Sequence, residues 1–216
     1  MFGTNTYAGS GAYTVTVQIR DHGSSVDDLS SASVSNLGQP VQRGLAGGIG
    51  FWHSGRGQTL INSFNGGSTA TALANWLAIT FPNLYGVGAG ANNLTSKSNA
   101  QVAAFYEMLF AMHGPKVDAE VLGVALDVYA TTQSLGGNTA TTYGFHVTAY
   151  GLGAYSENVG ASGTAFGVAN KTVLNVYQIL LAVNRQAVNG ILYNGKQSLD
   201  LLALSVFDDI ATLGSI

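Results

Sequence analysis

The sequence predicts an α+β fold, a mainly helical domain with a small β segment, preceded by a strand-bearing stretch near the N-terminus. Three observations predict it. From Thr69 onward, apolar residues recur at helical spacing in blocks closed by Gly or Pro, the pattern of helices that bury one face. Between Thr141 and Gly167 that period is lost, and Phe145, Val147 and Phe166 sit among Gly, Ser and Thr, which reads as a hairpin or irregular β segment. Near the N-terminus, Gly11, Tyr13, Val15, Val17 and Ile19 alternate with Thr14, Thr16 and Gln18, the period of a half-buried strand.

Taken in order, Asp21, His22 and Gly23 break that first strand, and a second short one is expected over Ser31 to Ser35. Leu37 to Gly50 is Gly-rich, contains Pro40 and reads as a linker over 37–50. The main domain is expected from Phe51 to the C-terminus, over 51–216. Gln58 to Phe64 fits a short helix stopped by Asn65, Gly66 and Gly67. Ser68 is placed to cap a helix from Thr69 to Thr80, which Pro82 ends. Ser96 or Ser98 caps the next, Asn99 to His113, and Gly114 and Pro115 stop it. Val117 to Thr132 is a third helix, Thr172 to Asn184 a fourth and Ser198 to Leu213 the last, with turns at Asn189-Gly190 and Asn194-Gly195.

Composition narrows the function classes. Only 9% of residues are charged against 46% hydrophobic, well below the roughly 25% charged of an average domain. Gly, Ser, Thr and Asn must therefore keep the surface wet, a profile that suits an extracellular bacterial module. With no Cys, disulfides, thiol nucleophiles and thiolate metal sites are excluded. The eight Lys and Arg are scattered and the net charge is −3, so no basic patch exists to track phosphates and nucleic acid is not an expected partner. No apolar run reaches the roughly 18 residues of a membrane span.

The N-terminal stretch, expected as a unit over 1–36, resembles the closing strands of the Ig-like and PKD-like repeats of large secreted bacterial proteins. Tyr7, Gly11, Tyr13, Thr14, Val15, Thr16, Val17 and Asp21 carry the resemblance. It implies that the chain starts inside such a repeat and is the C-terminal part of a longer secreted or cell-surface protein. An incomplete repeat leaves an unpaired strand edge, and a homodimer through residues 10–20 is the expected consequence. The block from Ile49 onward resembles C-terminal regions of exoproteins from environmental bacteria. That resemblance implies, as the nearest activity, a calcium-dependent acyl-homoserine lactonase of the kind found in metagenomic DNA.

Several hydrolase signatures are missing. There is no G-x-S-x-G elbow and no HExxH, and the four His are isolated. Gly190 to Lys196 has the spacing of a phosphate-binding loop, but Gln197 stands where Ser or Thr would hold magnesium. An EF-hand aligned on Gly190 places Arg185, Ala187 and Lys196 at ligand positions, which calcium does not accept. What remains are acids inside apolar helices. Glu107 sits in AAFYEMLFAMH, and Glu120 and Asp127 in VDAEVLGVALDVY. A carboxylate in such surroundings must be paired, bind a cation or hold a proton. Glu120 and Asp127 share one helix stripe about 10 Å apart and are the expected metal residues, with calcium as the metal. Glu107, His53 and His113 are the expected catalytic residues, and a small ester or lactone the expected substrate. The plainer alternatives are a wet stripe for the acids, a helix-end role for His113, and a non-catalytic C-terminal adhesion or anchoring module for the whole.

Overall fold

A computed structural model describes residues 15–20, 26–31 and 38–216. Helices dominate it, and two short antiparallel strand pairs complete the α+β architecture. Strand β1 (Val15–Arg20) pairs with β2 (Val26–Ser31), Val15 opposite Ser31 and Arg20 opposite Val26. The second strand lies earlier than its expected start at Ser31, because pairing with β1 outweighs the poor strand propensity of Asp27 and Asp28. Tyr7, Gly11, Tyr13, Thr14, Asp21 and residues 32–35 lie outside the described residues.

The Gly-rich stretch expected as a linker is built into the domain. Val41, Leu45 and Ala46 are buried, the Val41 amide donates to Ser156 O, and the Leu45 and Ala46 amides both donate to Gly214 O. Glycine here serves close approach rather than flexibility. Gly44 has φ +91°, and a Cβ on it would lie 2.6 Å from the His146 ring.

Helix α1 (Gly48–His53) and helix α2 (Gly55–Ser63) meet at a corner on Ser54, whose side chain accepts from the Gly57 amide. The sequence pattern predicts α2 only from Gln58, and the helix opens three residues earlier, at Gly55. Gly57 is a packing residue: a Cβ there would sit 2.2 Å from Phe51 O. Helix α3 (Ala72–Thr80) starts later than expected, since Ser68 does not cap it. The carbonyls of Ser68 and Ala70 accept from Ala100 and Asn99 instead. Pro82 ends α3 by opening α4 (Pro82–Tyr85). Helix α5 (Asn99–Ala111) carries a full capping box from Ser98 and Gln101 and stops short of His113.

Helix α6 (Val117–Thr131) is the hub: every residue but Asp118 is buried, the condition of a helix apolar on all sides. Helix α1, α5 and the long C-terminal α9 (Gln197–Leu213) pack around it. Helix α7 (Gln133–Gly136) follows α6. The β segment expected over 141–167 proves to be short helical turns and one three-residue strand, β3 (Ser156–Asn158), whose antiparallel partner β4 (Val173–Asn175) lies beyond it, in the stretch expected as helix. Asn175 then caps α8 (Val176–Gln186) with Gln178 as its box partner, which moves that helix start past Thr172. Among the described residues no helix is long and apolar enough to cross a membrane.

Candidate active site

His53 ends α1 and Glu107 lies in the third turn of α5. The structure brings them together: His53 Nδ1 is 2.8 Å from Glu107 Oε2. Phe110 is one helical turn beyond Glu107, on the same face, and the imidazole stacks on its ring at 3.8 Å between centroids and 11° between planes. The ring is thus held by one hydrogen bond and one flat apolar wall. Both partners are open to water, with side chains 45% and 38% exposed. Glu107 Oε1 is shielded and has no protein partner. A histidine that donates from Nδ1 to a carboxylate presents Nε2 as the proton acceptor.

The corner at Ser54 sets this geometry. Trp52, the residue before His53, is fully buried, and its indole N–H donates to Asp127 Oδ1 at 3.0 Å. Gln58 Nε2 donates to Trp52 O, so both faces of the last turn of α1 are pinned. The wall is pinned as well. Lys116 Nζ donates to the Phe110 carbonyl at 2.6 Å and to that of Met112, satisfying the end of α5 with a cation. The helix-end role considered for His113 belongs to Lys116. His113 is exposed and, among the described residues, forms no hydrogen bond, ion pair or ring contact.

Glu120 and Asp127 share a stripe of α6 but serve different partners. Asp127 is 0% exposed. Its Oδ1 accepts from the Gly47 amide at 2.8 Å as well as from Trp52, and its Oδ2 has no partner. Burial pushes its carboxyl well above the usual range, against the pull of those two hydrogen bonds. Glu120 is raised to about 8 by burial and then by a hydrogen bond with Asp208 of α9 and its charge. Tyr106, buried between these acids and Glu107, has its phenol pushed up by burial and then by all three charges. Among the described residues no three His, Asp or Glu side chains converge as a metal-binding group.

Sequence reasoning missed three participants. Phe110 was legible as the residue one turn beyond Glu107. Asp208 was not, because only the packing of α9 on α6 brings it to Glu120. Lys116 was readable as a helix-flanking cation but stood behind the more conspicuous His113. Compared with protein-family models, curated proteins and solved structures, the chain finds no match.

Proposed function

We propose that the chain hydrolyses small esters or lactones, N-acyl-homoserine lactones among them, by general-base catalysis at the His53–Glu107 pair. The observation that carries the reading is the 2.8 Å hydrogen bond between His53 Nδ1 and Glu107 Oε2 on a ring stacked against Phe110. Glu107 fixes the tautomer. His53 Nε2 takes a proton from water as the water oxygen attacks the carbonyl carbon. The resulting imidazolium is stabilised by the Glu107 charge and returns its proton to the leaving alkoxide as the C–O bond breaks. Calcium as a Lewis acid would add polarisation of the carbonyl. The acids first suited to hold it, Glu120 and Asp127, are engaged with Asp208 and with Gly47 and Trp52, so no step is routed through a metal.

The test is hydrolysis of hexanoyl-homoserine lactone and p-nitrophenyl acetate by the purified chain, with and without EDTA and added calcium. Turnover that survives EDTA and falls about 10²–10⁴-fold in His53→Ala, the usual worth of a general base, supports the pair. Turnover lost to EDTA and restored by calcium would put a metal back at the centre. No turnover under any condition leaves the second reading, a non-catalytic adhesion or anchoring module of a longer secreted protein. That reading is supported by the antiparallel β1–β2 pair and by the likeness of its sequence to Ig-like repeats. A homodimer through the N-terminal strands belongs to the same proposal, and a monomer by light scattering would remove it.

A further inference from the structure

Three Asn-Gly steps punctuate the chain, at Asn65-Gly66, Asn189-Gly190 and Asn194-Gly195. Asn before Gly is open to attack by its own backbone, because no Cβ on the second residue shields that residue's amide nitrogen. All three Asn hold left-handed backbone, at φ 49°, 52° and 52°, so conformation does not separate them. What separates them is what must break before the side-chain carbonyl carbon can meet the next amide.

At Asn65 both ends of the side-chain amide are engaged. Its Oδ1 accepts from the Tyr129 hydroxyl at 2.6 Å, and its Nδ2 donates to Leu135 O at 2.9 Å. At Asn189 the side chain is untethered, but the attacking glycine is locked. The Gly190 amide donates to Asn83 O at 3.0 Å and its carbonyl accepts from Asn92 Nδ2 at 2.8 Å. Gly190 is also buried, packed so closely on Ala89 O and Asn92 that no Cβ would fit. Asn194 lacks the tether of the first step and the buried glycine of the second. Asn194 and Gly195 are both exposed, and among the described residues the Asn194 side chain forms no hydrogen bond. Nothing lies within 4 Å of where a Cβ on Gly195 would stand. The turn is strained besides: Tyr193 at φ 48° and Gly195 at φ 78° flank Asn194, three left-handed residues in succession where L residues take that form singly.

We infer that the fold directs spontaneous deamidation to Asn194, which makes Asn194-Gly195 a modification site. The Gly195 amide nitrogen attacks Asn194 Cγ. Its proton passes through solvent to the side-chain nitrogen, which leaves as ammonia. Water then opens the resulting five-membered succinimide at either of its carbonyl carbons, giving aspartate or isoaspartate at position 194. Water is the one co-reactant, and nothing is oxidised or reduced. The product adds one negative charge to a chain of net charge −3, just ahead of α9. The isoaspartate form also lengthens the backbone of the turn by one carbon.

The experiment incubates the full chain in mildly alkaline buffer made with heavy-oxygen water and follows each Asn-Gly peptide by mass spectrometry. A second sample, unfolded in urea, runs in parallel. The expected result is conversion at Asn194 with gain of one heavy oxygen, about tenfold or more faster than at Asn65 and Asn189, the weight of one or two hydrogen bonds that must break first. In urea, where those restraints are gone, the three steps should react at similar rates. The inference is overturned if Asn194 stays intact over the time in which the unfolded chain converts, or if Asn65 or Asn189 converts as fast in the folded chain. The same ranking in urea would also overturn it, since local sequence rather than the fold would then select the site.

Discussion

Trp52 and His53 are neighbours on one short helix, and each donates a ring N–H to a carboxylate. The indole reaches Asp127 at 3.0 Å and the imidazole reaches Glu107 at 2.8 Å. Local geometry hardly separates the two pairs; water does. Asp127 and Trp52 are fully buried, where an indole N–H, which is donor only, can do nothing but fasten. His53 and Glu107 stand at the surface with a second ring nitrogen to spare. The same bond is a rivet on one side of α1 and, in the proposed function, a means of moving protons on the other, and two consecutive residues divide the roles because successive helical side chains point about 100° apart.

The comparison is tested first where the effect is largest. His53→Ala is expected to lower hydrolytic kcat/KM by about 10²–10⁴-fold while the urea midpoint moves little, since the ring is half in water. Glu107→Gln keeps an acceptor for Nδ1 but loses the charge, and should fall between parent and His53→Ala. Equal activity in all three chains would erase the distinction between the two pairs. The mirror experiment is Asp127→Ala, which strands the Gly47 amide and the Trp52 indole in the core. At about 1–3 kcal/mol for each unsatisfied donor, a loss of roughly 2–5 kcal/mol in urea unfolding is expected. Asp127→Asn retains an acceptor and should cost under about 1 kcal/mol. If Asp127→Asn were as damaging as the alanine variant, charge rather than hydrogen bonding would hold the rivet.

A subtler contrast lies in pH. Glu120 is held to about 8 against an ordinary 4.5, and Asp118 to about 6 against 3.8. Both therefore bind protons more tightly folded than unfolded, so stability falls as pH rises from the unfolded toward the folded value. The window runs from about 4 to 6 for Asp118 and from about 4.5 to 8 for Glu120, and the buried Asp127 pushes the same way. The melting temperature is expected to be several degrees higher at pH 5 than at pH 8.5, and Glu120→Gln should flatten the part above pH 6. A melting temperature that climbs with pH over that range would contradict the buried acids as described. The smallest expected effect is that of Phe110→Leu. Losing the stacked wall should cost about 0.5–1.5 kcal/mol of ring positioning, seen as a loss of hydrolysis of roughly 2- to 13-fold with folding intact.

How far the sequence could be read depended on how local each feature is. The helices from Asn99, Val117 and Ser198 were legible because their periods, caps and stops lie within a few residues. The capping box of Ser98 and Gln101 is the plainest case. Gly44 reads as linker in the sequence because its role is contact with His146, and Gly57 gives no signal of its contact with Phe51; no local pattern records either. The approach of His53 to Glu107 was not derivable from spacing, since 54 positions separate them; what could be read was that each residue type was out of place for a solvated loop or an apolar helix. The approach of Glu120 to Asp208 and of Asp118 to Asp200 needed the packing of α9 against α6, and no feature of either helix alone announces it.

Leu45, Ala46 and Gly44 donate backbone bonds to residues 214 and 215, and the Ile216 amide returns one to Ala46 O. Residues 44–46 are therefore bolted to residues 214–216. A tension applied between residue 44 and Ile216 is carried by these few bonds in a parallel arrangement, and the buried α6 lies off the load path. Pulled from its two sides, such a domain yields at the clasp first, then unravels from both edges, with α6 as the last element to lose its neighbours. In a force-extension trace this order predicts one early small rupture followed by the main event, and Gly214→Ala, whose Cβ would lie 2.7 Å from Ala46 Cβ and push the clasp apart, should weaken the first without abolishing the second.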